Sequence, residues 1–235
     1  MWRLVAPRFE DRYRVVTFDF VGAGGARAPY DPQRYSTLGG YADDVLRICR
    51  ELELSDVIFV GHSVSAMIGV LAEIAAPDTF AALVMVGPSP RYVDDGDYVG
   101  GFQQADIEGL LDALASNYLG WSHAMAPAIM GNADRPELGQ ELEASFCTVD
   151  PVIAEQFARA TFLSDNREDL AKVKAPCLVL QCQQDVIAPP EVGRYVADQL
   201  PHATLTMLAA TGHCPHLSAP VEVIRAIDDF LEREV

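Results

Sequence analysis

No run of eighteen uninterrupted apolar residues occurs in the 235-residue chain, so no membrane-spanning helix is expected. The stretch from Met1 to Arg8 lacks a long apolar core and a small-residue cleavage pattern, and no signal peptide is expected from it. Basic residues are scarce: 17 Lys and Arg stand against 34 Asp and Glu, a formal net charge of −17. Such a surface repels phosphate backbones and anionic lipid, which argues against nucleic acid and membrane as partners. Cysteine is sparse as well. The five thiols, Cys49, Cys147, Cys177, Cys182 and Cys214, are odd in number and form no CxxC pair. They read as reduced thiols of a cytoplasmic protein, not as a disulfide framework. Metal ligands are thin too: His213-Cys214-x-His216 is the single compact candidate, and Pro215 inside it argues against regular ligand geometry. Neither a metal nor a cofactor is expected.

What is present is an ordinary globular composition, 50% hydrophobic and 22% charged, enough for one good-sized core with an insertion. Tyr13 to Phe18 reads as a strand. The glycine-rich loop after it, Gly22 to Arg27, does not fit a dinucleotide fingerprint. Arg27 holds the third glycine position, and Pro29 and Pro32 follow where a helix should open. Leu38, Tyr41, Val45, Ile48 and Leu52 recur at helical spacing behind a Ser36 or Thr37 cap. A buried strand (56–60), a small apolar helix closed by Pro77, and another apolar strand (82–86) follow. This alternation predicts an α/β fold, a mostly parallel sheet with helices on both faces.

From about 91 to 170 the rhythm breaks into four helical segments, 104–119, 121–130, 136–147 and 150–164. A helical run inserted into an alternating fold is expected to cap the carboxyl edge of the sheet, where such sheets bind ligands. The domain reading is therefore a core of 1–90 and 171–235 with a lid of 91–170. Tyr92, Phe102, Tyr118, Trp121, Phe146, Phe157 and Phe162 are the expected lining of an apolar pocket under it. The sheet resumes at 177–182, then a helix over 190–199, a strand over 203–208 and a last helix from Pro220 to the end.

Chemistry concentrates at the carboxyl ends of these strands. Ser63 lies between a buried strand and a buried helix, in Gly61-His62-Ser63-Val64-Ser65. A serine on such a turn projects its hydroxyl, and the next N–H, from Val64, points at the oxygen of whatever the hydroxyl attacks. Serine needs a base, histidine titrates nearest neutral pH, and a carboxylate fixes the histidine tautomer. Asp185 follows the second-last strand and His213 the last. The order Ser63, Asp185, His213 is the one α/β-hydrolases use. His216 is a rival base in the same loop, less favoured because it lies nearer the last helix, and the turn should direct His62 away from the serine hydroxyl.

Several longer motifs carry a resemblance: Gly61 to Gly69, Gly87-Pro88-Ser89-Pro90-Arg91-Tyr92, Gly100-Gly101-Phe102, Asn117-Tyr118-x-x-Trp121 and Gly212 to Pro220. Together they resemble the α/β-hydrolase group that contains the bacterial stress regulator RsbQ and the plant strigolactone and karrikin receptors. Phe146-Cys147-x-x-Asp150-Pro151-Val152-Ile153-Ala154 and Ser164 to Leu170 look most similar to the bacterial type. The resemblance implies a slow serine hydrolase for a small, mostly apolar ester or lactone, with a four-helix lid. It also implies a role in small-molecule or stress signalling with a phosphatase partner. A pure ligand sensor with weak or no hydrolysis is the other reading. One departure stands out. The group's chains begin with further strands and a loop that donates an oxyanion-hole N–H, and Met1 falls where the helix after that loop should begin. On this reading strands 13–18 and 56–60 flank a gap one strand wide, and the functional protein is expected to carry about thirty more residues upstream.

Overall fold

The computed structural model describes residues 1–234; the expectation that the last helix reaches Val235 falls outside them. Helix α1 (Leu38–Glu51) turns Leu38, Tyr41 and Val45 inward as read from the sequence, joined by Ala42 and Cys49, whereas Ile48 is half-buried and Leu52 lies past the helix end and is exposed. Strand β1 (Val57–His62) leads through Ser63 into α2 (Val64–Ala75), and β2 (Phe80–Val86) follows a short turn at Pro77. Four helices come next: α3 (Gln104–Ser116), α4 (Tyr118–Met130), α5 (Pro136–Phe146) and α6 (Pro151–Phe162). The short α7 (Arg167–Leu170) returns the chain to β3 (Cys177–Gln184), α8 (Pro190–Gln199) and β4 (Ala203–Thr211). A one-turn α9 (Pro215–Ser218) and α10 (Pro220–Glu234) complete the described chain.

The four strands pair in chain order, β1-β2-β3-β4, and all three pairings are parallel. Parallel neighbours need crossovers, and helices supply them on both faces. One layer packs α1, α2 and α8 against the sheet through Met67, Ile68, Val70, Val192 and Val196. The other packs α10 through Val223, Ile227 and Phe230. Central strands β2 and β3 are buried almost throughout, while β1 is only half-buried along most of its length.

The strand expected over 13–18 does not form. Residues 14–20 run without a sheet partner, and Val16 and Phe18 remain more than a third exposed. A strand exists only where a neighbouring edge takes up its N–H and C=O groups, and among the described residues none does so here. The glycine loop after it meets α6, not the strand ends: a Cβ on Gly22 would strike the Ile153 side chain.

The inserted helices have their own core, with Ile107, Leu111, Leu114, Met130 and Leu142 fully buried. It is completed by Ile187, Cys214 and Leu217 from the loops after β3 and β4, which places the insertion over the carboxyl edge of the sheet. The two ends of the insertion are tied together. Asp165 accepts hydrogen bonds from Arg91 and Arg167 at 2.7 Å each, and Arg167 also reaches Asp95 at 2.8 Å.

Candidate active site

Three strands deliver the expected residues to one place. β1 ends one residue before Ser63, whose backbone sits at φ 56°, ψ −126°, outside the regions a non-glycine residue favours. That strained turn exposes the hydroxyl and makes Val64 the first residue of α2, with its N–H among the helix's initial donors. The turn is possible because Gly61 lacks a side chain: a Cβ there would lie 2.7 Å from the Ser65 and Ala66 backbone. The crowding falls on Gly61, so Ser65 is accommodated where a second glycine is usual.

Asp185 follows β3 directly. One carboxylate oxygen accepts the N–H groups of Ile187 at 2.9 Å and Ala188 at 3.1 Å. The other lies 2.7 Å from His213 Nδ1. Burial works against its charge, but His213 and these backbone donors outweigh that cost and hold its pKa below the ordinary carboxylate value. His213 follows β4 after Gly212, which takes φ +87°. Its N–H donates to the Ile129 carbonyl at 2.9 Å, so the end of α4 pins the histidine loop. His213 Nε2 stands 2.7 Å from Ser63 Oγ. Since Nδ1 faces a carboxylate it carries the proton, and Nε2 is free to accept from the serine hydroxyl. Asp185 and His213 are buried, at 8% and 3% exposure.

Two more residues stand beside these three. His62 Nε2 donates to the His213 carbonyl oxygen at 2.7 Å, and the two rings pack at 4.8 Å. Burial, with His213 beside it, pushes the His62 pKa down to about 3, so the ring is neutral. Tyr92 is buried with its hydroxyl 3.5 Å from Ser63 Oγ, a loose contact, and its pKa is pushed up to about 12 by burial. His62 adjoins the serine in sequence, but nothing in a local pattern says that its ring reaches a backbone oxygen 151 residues away.

The expected pocket residues separate. Phe162 packs edge-on against Tyr92 at 4.9 Å, one ring removed from Ser63. Phe102 donates its N–H to the Tyr92 carbonyl at 3.1 Å. Tyr118 and Trp121 stack at 6.4 Å within the inserted helices, and the Tyr118 hydroxyl donates to the Phe146 carbonyl at 2.7 Å. Phe157 goes elsewhere: it packs on Tyr41 at 5.2 Å and Phe20 at 6.4 Å, sealing the junction of α6 with the main core. Helical periodicity cannot distinguish these two destinations, because both faces of α6 are apolar. A concavity of about 380 Å³ lined by Gln183, Asp185, Pro190 and Gly212 backs the site without reaching Ser63.

The family model described as Alpha/beta hydrolase family matches residues 1–226. The chain belongs to the alpha/beta hydrolase family. Among curated relatives of this alpha/beta hydrolase, the karrikin insensitive 2 receptor CA of Petunia hybrida is 42% identical over 237 aligned residues, covering 100% of this chain and 88% of the relative. A strigolactone esterase of Arabidopsis thaliana is 39% identical, covering 99% of this chain and 87% of its own. Among solved structures, a hydrolase from Oleispira antarctica superposes with a TM-score of 0.95 at 39% identity, covering 98% of this chain and 85% of that one. The alpha/beta hydrolase is thus similar to proteins named both as esterases and as receptors. Among its described residues no helix is long and apolar enough to cross a membrane.

Proposed function

We propose that the protein is a slow serine hydrolase for a small, mostly apolar ester or lactone, working in the cytoplasm and coupled to signalling through a regulatory protein such as a phosphatase. The single observation that carries this reading is the unbroken relay from Asp185 through His213 to Ser63, 2.7 Å at each step. His213 takes the hydroxyl proton as Ser63 Oγ attacks the substrate carbonyl, and the Val64 N–H donates to the oxygen that becomes negative. The imidazolium formed is stabilised by Asp185, which stays ionised, and it returns the proton to the departing alcohol. Water then repeats the cycle on the acyl-serine. Residues 91–170 act as the lid. Phe162 and Phe102, grouped around Tyr92, form the apolar wall nearest the serine, with Trp121 and Tyr118 deeper among the lid helices.

The signalling part rests on the relatives named as receptors and on the motifs similar to the RsbQ type. A fluorophosphonate probe should label Ser63 in the native protein and not in Ser63→Ala. Absence of labelling together with absence of hydrolysis of a p-nitrophenyl ester would sink the enzyme reading. The receptor names favour one second reading, a sensor in which turnover is incidental. In that case Ser63→Ala keeps full ligand-induced thermal stabilisation and full capture of the regulatory partner.

A further inference from the structure

Behind the triad, away from Ser63, lies a second group of reactive side chains. His62, Cys214 and His216 each present one ligand atom within 4.8 Å of the others, the one such group found among the described residues. It is drawn from the end of β1 and the start of α9, and from the sequence alone two of its three members are legible. The run His213-Cys214-x-His216 looks like the candidate, but His213 is spent on Ser63 and Asp185, and His62 takes its place.

Two observations point to a bound cation. First, both ring nitrogens of His216 are without a partner although the residue is 0% exposed, an arrangement native proteins seldom leave unexplained, and a cation would take up the lone pair of one of them. Second, His62 is already held as metal-binding histidines are. Its Nε2 hydrogen is donated to the His213 carbonyl, which fixes the tautomer and leaves the lone pair on Nδ1. The Trp2 ring covers His216 at 4.7 Å, and the His62 and His216 rings face each other at 4.4 Å.

The chemistry of the group selects the ion. One thiol and two imidazoles form a soft donor set, which favours a d10 cation such as copper(I) or zinc. The carboxylate whose field reaches Cys214 and His62, Asp185, is already held by His213 and two backbone donors, so residual charge on this buried group is costly. A divalent ion with one thiolate leaves a buried charge of +1, whereas a monovalent ion with one thiolate leaves none. We infer that His62, Cys214 and His216 form a three-coordinate site for copper(I). On binding, Cys214 Sγ releases its proton to solvent and forms the sulfur–copper bond, the two imidazoles donate their lone pairs, and no electron is transferred. The ligand atoms close in from their present spacing to bond lengths near 2.0–2.3 Å, as N and S ligands of such ions require.

The test uses anaerobic copper(I) in competition with the coloured bicinchoninate complex. Cys147 is exposed, so Cys147→Ser is the reference chain. That chain should withdraw one copper(I) per molecule, with a change in tryptophan emission from Trp2 beside the site. Adding Cys214→Ser or His216→Phe should weaken capture by roughly 10²-fold or more, since loss even of a supporting contact to a ligand costs 10–100-fold. X-ray absorption of the loaded reference chain should show two nitrogens and one sulfur. Failure of the reference chain to take up one equivalent would overturn the site, as would a shell without sulfur or tighter binding of zinc than of copper(I). If the double variants do not fold by circular dichroism, the absorption shell of the reference chain decides alone. None of these readouts depends on esterase activity, so failure here leaves the hydrolase reading untouched.

Discussion

At the carboxyl edge of the sheet, Asp185, His213 and Ser63 all have partners: Asp185 accepts from two backbone donors and faces His213, His213 reaches Ser63, and the His213 carbonyl accepts from His62, while His216 behind them has none. Among the helices laid over that edge, Trp121 Nε1, Ser122 Oγ, Gln156 Oε1 and Thr161 Oγ1 are buried without partners. The first region holds its polar atoms with backbone groups, as the proposed mechanism needs where charge would develop. The second packs through apolar side chains and leaves a few buried donors and acceptors unmatched. On the proposed function, the chemical step belongs to the sheet edge and recognition to the helices. The two are joined by a shared apolar core and by hydrogen bonds such as the His213 N–H to the Ile129 carbonyl and Asn132 Nδ2 to the Thr211 carbonyl at 2.8 Å.

That division can be broken by kinetics. Ser63→Ala, His213→Ala and Asp185→Asn are expected to lower kcat by roughly 10⁴–10⁶-fold without adding to one another, because triad members act as a unit. Substrate affinity should persist in all three. A His216→Ala variant as severe as His213→Ala would mean that the base has been misassigned.

His62 tests how far the matched region extends. His62→Phe removes the N–H given to the His213 carbonyl, and a misplaced base costs up to about 10²-fold in kcat with KM little changed. His62→Gln, which restores a donor, should recover part of that loss; equal deficits in Phe and Gln variants would show that the ring only fills space.

The recognition side divides at α6. Phe162→Ala should raise KM by roughly 10- to 100-fold, the loss of about 1–3 kcal/mol of apolar contact, with melting temperature nearly unchanged. Phe157→Ala should do the reverse and destabilise the fold by about 3 kcal/mol, leaving KM per folded molecule unaltered. Exchanged phenotypes would place the pocket on the opposite face of the helix.

The smallest effect is on stability against pH in the copper-free protein. Burial holds the pKa of His216 well below its ordinary value, and that of His62 at about 3. Both are therefore neutral when folded but bind protons when unfolded below about pH 6.5. Stability from this source is complete above pH 6.5 and is lost as the pH falls toward 3. At pH 5.5 the loss is on the order of 1 kcal/mol for a fully neutral imidazole, measurable by urea denaturation at pH 7 and pH 5.5. His216→Phe should flatten the dependence.

Much of this molecule is written locally. The periods of α1 and α2, the apolar runs of β2 and β3, and the prolines that open α5, α6, α8 and α10 are all legible residue by residue. So was the serine turn, because a small residue, a β-branched strand and an apolar helix in that order leave few conformations. Strand 13–18 shows the limit: its pattern is a strand's, but pairing is a property of the edge beside it and not of the segment. The same limit applies to α6, where one helix sends Phe157 to the main core and Phe162 to Tyr92, a choice made by what packs on each face. Most of all it applies to histidine. Local sequence determined that His62, His213 and His216 would lie near the ends of β1 and β4. Only the tertiary structure decided that one faces the serine, one holds that residue's backbone, and one is buried with its nitrogens unpaired, because those roles depend on neighbours supplied by distant parts of the chain.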